Sequence, residues 1–142
     1  LKTVEPAPPN NTVALKTKKV TVTAAQIKTL NSSPIVVFPA TSGKIFNING
    51  INLIWNWGSV AFDNDDIFFE YGLGSDEYTM YLANILQSTA SKTIISMSGD
   101  DDAYIENSGG DEVDIILRAN NDSTTTGDST MDLYITYYET TL

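Results

Sequence analysis

The chain has 142 residues, a net charge of −10, and neither histidine nor cysteine. That excludes disulfide scaffolds, thiolate metal sites and the histidine-based nucleophile constellations, and it leaves enough chain for one domain of ordinary size, about 100–200 residues. The apolar fraction of 42% and mean hydropathy of −0.11 fit a globular protein and not a disordered one.

In chain order, residues 1–18 read as an extended basic arm. Pro6, Pro8 and Pro9 fix the backbone and remove donors, and Asn10-Asn11 follows as a turn signal. The opening run Leu1–Pro6 has no initiator Met and no apolar stretch of the signal-peptide kind, as expected of a trimmed chain or one that starts inside a longer gene product. Residues 19–142 read as one domain. Val20 and Val22 alternate with polar neighbours. Thr23-Ala24-Ala25-Gln26 fits a capping box, which predicts a short helix over Ala24–Leu30 that ends before Pro34.

Strands follow. Ile35–Phe38 is a short apolar run closed by Pro39, and Thr41-Ser42-Gly43 is a turn. Lys44–Trp57 alternates with one phase change: Phe46 and Ile48 are even, whereas Ile51, Leu53, Trp55 and Trp57 are odd. A β-bulge at Asn49-Gly50 restores both sets to one face. A hairpin at the same dipeptide is the rival reading; its arms would be short. Ile67, Phe69 and Tyr71 form the next strand, Gly72–Ser75 a turn, and Tyr78, Met80 and Leu82 a strand, after which Ile85-Leu86 either extends it or opens a loop. Thr93, Ile95 and Met97 share a face. Gly99–Asp102 reads as an acidic turn and Ala103–Glu106 as a minor strand. Val113, Ile115, Leu117 and Ala119 alternate, with Ile116 as the exception. After a polar loop over 120–130, Met131, Leu133, Ile135 and Tyr137 point inward, and Asp132, Tyr134, Thr136 and Tyr138 outward. The expectation is an all-β, antiparallel β-sandwich, jelly-roll-like, of about eight strands, with one short N-terminal helix.

Charge is unevenly placed. Residues 1–44 carry six lysines against Glu5; residues 45–142 carry Lys92 and Arg118 against seventeen acids. A basic arm and basic domain end on an acidic body suit a subunit that docks on other proteins. Nucleic acid is not expected as a partner, since one arginine leaves almost no bidentate phosphate reader. No apolar run reaches the roughly 18 residues of a spanning helix, so no membrane partner is expected either. The docking residues expected are Leu1, Lys2, Val4, Val13, Leu15, Lys16, Lys18 and Lys19, with Tyr134 and Tyr138 on the outward face of the last strand. Exposed ion pairs contribute little, so the apolar members must carry part of the binding.

No pair among the eighteen acids stands out as an acid–base couple, so no enzyme activity and no catalytic residue are expected. No cofactor is expected. Calcium is the one ion the composition suggests, through Asp63, Asp65 and Asp66 or through Asp100–Asp102, although neither run matches an EF-hand loop. Trp55 and Trp57 share a face with Ile51 and Leu53 and are expected in the core. Tyr134 and Tyr138 suit a subunit interface or a sugar platform.

The runs Val20–Lys28, Pro34–Ala40 and Gly43–Ile45, with the closing Gly127–Tyr137, resemble small β-rich proteins encoded among bacteriophage structural genes. The resemblance spans roughly residues 19–138 and leaves out the arm. It implies a virion component: a non-enzymatic capsid decoration or cementing protein, a head fibre or a tail accessory subunit. It also implies a homotrimer whose partners are itself and the major capsid protein or another virion protein. A carbohydrate-binding or adhesion β-sandwich module is the alternative.

Overall fold

The computed structural model describes residues 3–4, 14–64, 66–71, 78–97, 114–124 and 126–141. Within them, eight strands and one helix follow in the order β1 (Lys16–Val22), α1 (Ala24–Lys28), β2 (Ile35–Phe38), β3 (Lys44–Asn56), β4 (Ile67–Tyr71), β5 (Tyr78–Leu82), β6 (Lys92–Met97), β7 (Ile115–Ala119) and β8 (Thr130–Thr141). They form two four-stranded sheets, β1-β8-β3-β6 and β2-β7-β4-β5, and every pairing is antiparallel.

The pairings are nested: β1 with β8, β2 with β7, β3 with β6 and β4 with β5. That is one long antiparallel hairpin wrapped over itself, the jelly-roll arrangement. Nesting sorts the connections by pole. The links carrying α1, residues 57–64, residues 83–91, and residues 120–124 and 126–129 gather at one pole, here the helix pole. The other, the terminal pole, holds the start of β1, the end of β8, the start of β3 and the end of β2.

Side-chain alternation explains the layers. Met131, Leu133 and Ile135 are fully buried on β8; Ile51, Leu53 and Trp55 face them from β3; Ile67, Phe69, Ile115, Leu117 and Ala119 line the opposing sheet. Trp55 is in the core, and its ring nitrogen donates to the Ser88 carbonyl oxygen at 3.2 Å, which satisfies its polar atom. Trp57 packs against the same core just beyond the end of β3.

The capping box forms as expected. The Thr23 hydroxyl accepts from the Gln26 backbone N–H at 3.3 Å, and the Thr23 N–H donates to Gln26 Oε1 at 2.9 Å. The helix is shorter than expected and ends at Lys28, with Thr29 as its C-cap. Ile27 and Leu30 are driven into the helix pole and fully buried. Gly43 adopts φ +73° in the β2–β3 turn, where a side chain would be strained, and Lys44 N–H closes that turn on the Thr41 carbonyl oxygen at 3.0 Å.

At Asn49-Gly50 the β8 register passes from Ile48↔Tyr137 to Gly50↔Thr136 and skips Asn49. The segment is one bulged strand and not a hairpin. The extra residue keeps Ile48 and Ile51 both buried.

Two expectations shift. Strand β1 begins at Lys16, three residues before the alternation starting at Lys19. On β6, Ile94 packs against the core opposite buried Leu53, whereas Thr93 is exposed; the side chains of Ile95 and Met97 lie outside the described residues. Of the two readings of Ile85-Leu86, the loop holds: β5 ends at Leu82, and both residues are buried in the connection that follows. The turn over 72–75, the acidic turn over 99–102, the minor strand over 103–106 and Val113 lie outside the described residues.

Candidate functional site

Of the expected docking lysines, Lys16, Lys18 and Lys19 lie on β1, an edge strand, and all three are engaged within the chain. Lys16 Nζ is 2.7 Å from Glu139 Oε2, and Lys44 Nζ is 2.5 Å from Glu139 Oε1. Glu139 is thereby held down to about 2, chiefly by the Lys16 hydrogen bond and then by Lys44. Lys19 Nζ lies 3.3 Å from Asp132 Oδ1 and 5.4 Å from the centre of the Tyr134 ring. Asp132 also accepts from the Thr21 hydroxyl at 2.6 Å, and this bond is the main cause that lowers its pKa. Lys16 and Lys19 are correspondingly raised, by Glu139 and by Asp132. Lys18 Nζ donates to the Val37 carbonyl oxygen and sits 4.8 Å from the Phe38 ring centre. It therefore closes the seam between the edge strands of the two sheets.

Lys16, Lys44 and Glu139 cap the terminal pole over an aromatic cluster. Phe38 stacks on Phe46 at 5.0 Å between ring centres and meets Tyr137 edge-on at 4.6 Å. The basic residues do not gather at one end as the charge count suggests: Lys28 stands on α1 at the helix pole, and Lys19 faces outward along β1. Pairing overrides sequence proximity here, because the acids that hold Lys16 and Lys19 come from β8, over a hundred residues away.

Tyr134 and Tyr138 face outward from β8, as expected, and both are half-buried. Tyr134 lies between Lys19 and Asn52, and Tyr138 lies beside Asn47. With exposed Asn47, Asn52 and Asn56 and the paired Lys19 and Asp132, they make the outer face of this sheet amide-rich and charge-balanced. Val4 and Leu15 are 90% and 51% exposed, and Val36 on the β2 edge 49%. Leu1, Lys2 and Val13 lie outside the described residues.

The acids expected to attract calcium serve the loops. Asp63 Oδ1 accepts from the Ser123 hydroxyl at 2.5 Å and the Thr124 N–H at 2.8 Å, and its other oxygen accepts from the Thr124 hydroxyl. Asp66 Oδ1 accepts from the Asn84 N–H at 2.8 Å. Asp65 and Asp100–Asp102 lie outside the described residues. Among the described residues, no three acidic side chains gather at metal-ligand spacing.

Sequence reasoning missed two features. Glu70 and Arg118, on the outer face of the second sheet, form a two-armed ion pair in which Glu70 is 2% exposed; Arg118 Nε reaches Glu70 Oε2 at 3.1 Å, and its guanidinium lies 5.3 Å from the Phe68 ring centre. Glu70 raises the Arg118 pKa. The second is Asp128. Its carboxylate accepts from Ser59 N–H at 2.7 Å, Ser59 hydroxyl at 2.7 Å and Val60 N–H at 2.9 Å, which lowers it to about 2. The available signal was Gly127-Asp128-Ser129: a small residue on each side lets two loops close on one carboxylate.

No family model and no curated protein matches the chain. Among solved structures, the fold is shared with a chain of the Cyanophage Pam1 capsid asymmetric unit, at 15% identity and a TM-score of 0.53, over 97% of this chain and 93% of that one.

Proposed function

We propose that the chain is a non-enzymatic structural subunit of a phage virion. The observation that carries this reading is the jelly roll shared, nearly end to end, with a chain of a cyanophage capsid asymmetric unit. The engagement of Asp63, Asp66, Asp122 and Asp128 as loop acceptors supports it, since these acids work in architecture and not in proton transfer. The subunit decorates or cements the capsid, or forms a head or tail accessory piece, as a homo-oligomer, with three copies as the working stoichiometry. Its partners are other copies and the major capsid protein or another virion protein. It works without a cofactor.

The basic arm and its apolar residues make the contact. Lys16 and Lys19 are already paired to Glu139 and Asp132, which leaves Val4 and Leu15 as the described arm-side residues open to a partner. Mass spectrometry of gradient-purified particles of the encoding phage tests the assignment, with the chain expected in stoichiometric amount; its absence from particles refutes it. A chain lacking residues 1–15 is expected to lose particle binding. Unchanged affinity and salt dependence would remove the arm from the mechanism.

A glycan-binding reading draws on Tyr134 and Tyr138 beside the exposed amides of Asn47 and Asn52. A glycan array separates the two.

A further inference from the structure

We propose that Asn49 is a self-modifying site, at which the chain converts its own asparagine to aspartate and isoaspartate. Asn49 is the one asparagine in the sequence followed by glycine. It is exposed, and it is the residue that the β8 register skips at the β3 bulge. Glycine at 50 matters because there is no Cβ to crowd the approach of its backbone nitrogen. The bulge matters because it sets Asn49 outside the β8 register, between the pairings of Ile48 and Gly50.

The step needs only solvent. The Gly50 N–H gives its proton to base, and the nitrogen attacks Cγ of Asn49. A C–N bond forms, the Cγ–Nδ2 bond breaks, and the amide leaves as ammonia with a proton from water. The five-membered imide that results is opened by water at either carbonyl. Opening at Cγ leaves an ordinary aspartate in place of the asparagine; opening at the backbone carbonyl leaves Gly50 attached through Cγ, which is isoaspartate. No oxidant or reductant is consumed.

Other asparagines in the same chain act as internal controls. Asn52 and Asn56 are also exposed on the same strand, but Leu53 and Trp57 follow them. Asn31 is followed by Ser32 and uses its amide nitrogen to hold the Ala119 and Asn120 carbonyls at 2.8 and 3.0 Å. Asn64 is fully buried, and its amide nitrogen donates to the Ile27 and Asn121 carbonyls. Conversion at Asn49 places a carboxylate on an outer face whose charges otherwise cancel. In the isoaspartate form it also lengthens β3 by one backbone carbon between its pairings with β8.

Folded full-length chain, incubated in alkaline heavy-oxygen water and mapped by peptide mass spectrometry, tests this. Asn49 is expected to convert before any other asparagine. One heavy oxygen should enter, both products should form, and the rate should fall at lower pH. Asn49→Gln should lose the conversion, and Gly50→Ala should lose most of it. The proposal is overturned if Asn49 stays intact, if Asn52 or Asn56 converts first, or if conversion brings in no heavy oxygen.

Discussion

The two poles of the sandwich use carboxylates differently. At the helix pole, Asp128, Asp122 and Asp63 accept backbone N–H and hydroxyl groups from neighbouring loops: Ser59 and Val60, Asn31 and Ser32, Ser123 and Thr124. At the terminal pole, Glu139 is held between the ammonium groups of Lys16 and Lys44. A carboxylate that accepts backbone N–H fixes a loop's shape and needs no counter-charge. One held by lysines pins strand ends together and answers to salt. The same side chain thus builds a rigid pole and an electrostatically adjustable one.

The largest contrast should come from truncating each pole's aromatic. Trp55→Ala removes a fully buried ring and leaves the Ser88 carbonyl without its donor, a loss of about 3–5 kcal/mol. Phe46→Ala removes a half-buried ring and should cost less, about 2 kcal/mol. Equal losses by urea unfolding would break the distinction. Between the poles, Arg118→Met leaves the Glu70 carboxylate unpaired at 2% exposure and should cost about 3 kcal/mol, largely recovered by also changing Glu70→Leu. Gly127→Ala follows: its Cβ would lie 2.3 Å from the buried Phe62 ring, a clash of about 1–3 kcal/mol at the helix pole.

Acid should act on both poles together. Asp128 and Glu139 are each lowered to about 2, below the ordinary carboxylate value of about 4 in the unfolded chain. A lowered folded pKa gives stability that is present in full above about pH 4–5 and is lost as pH falls toward about 2. Thermal midpoints across that window should fall in the native chain and fall less in Asp128→Asn and in Glu139→Gln. Salt is the smallest lever and the sharpest separator: raising it should shrink the Glu139→Gln effect and leave the Asp128→Asn effect unchanged.

Much of the fold was legible because its signals are local. The capping box at Thr23, the inward phase of β8 and the β3 bulge each rest on a few adjacent residues, and a change of phase between Ile48 and Ile51 marks the bulge directly. The candidate surface was less legible. Lys16 and Lys18 read as arm, and Lys19 as the start of the domain, because nothing near them in the chain is acidic; their partners Glu139, Asp132 and the Val37 carbonyl arrive only when β8 and β2 close around β1. The Glu70–Arg118 pair has no local sign, since the β4–β7 pairing alone brings the two residues together. Ion pairs across sheets depend on register, and register is a property of the whole roll.

The nested pairing also has a mechanical side. Strands β1 and β8 run antiparallel over seven residue pairs, and the chain enters the first and leaves the second at the same pole. A load drawn through both strand ends would peel them apart one pair at a time, the weakest way to strain a ladder. A load entering at the helix pole and leaving through Lys16 or Thr141 would instead cross the interlocked core. A roll built this way holds best when it is tethered by one terminal strand and pushed on from the far pole.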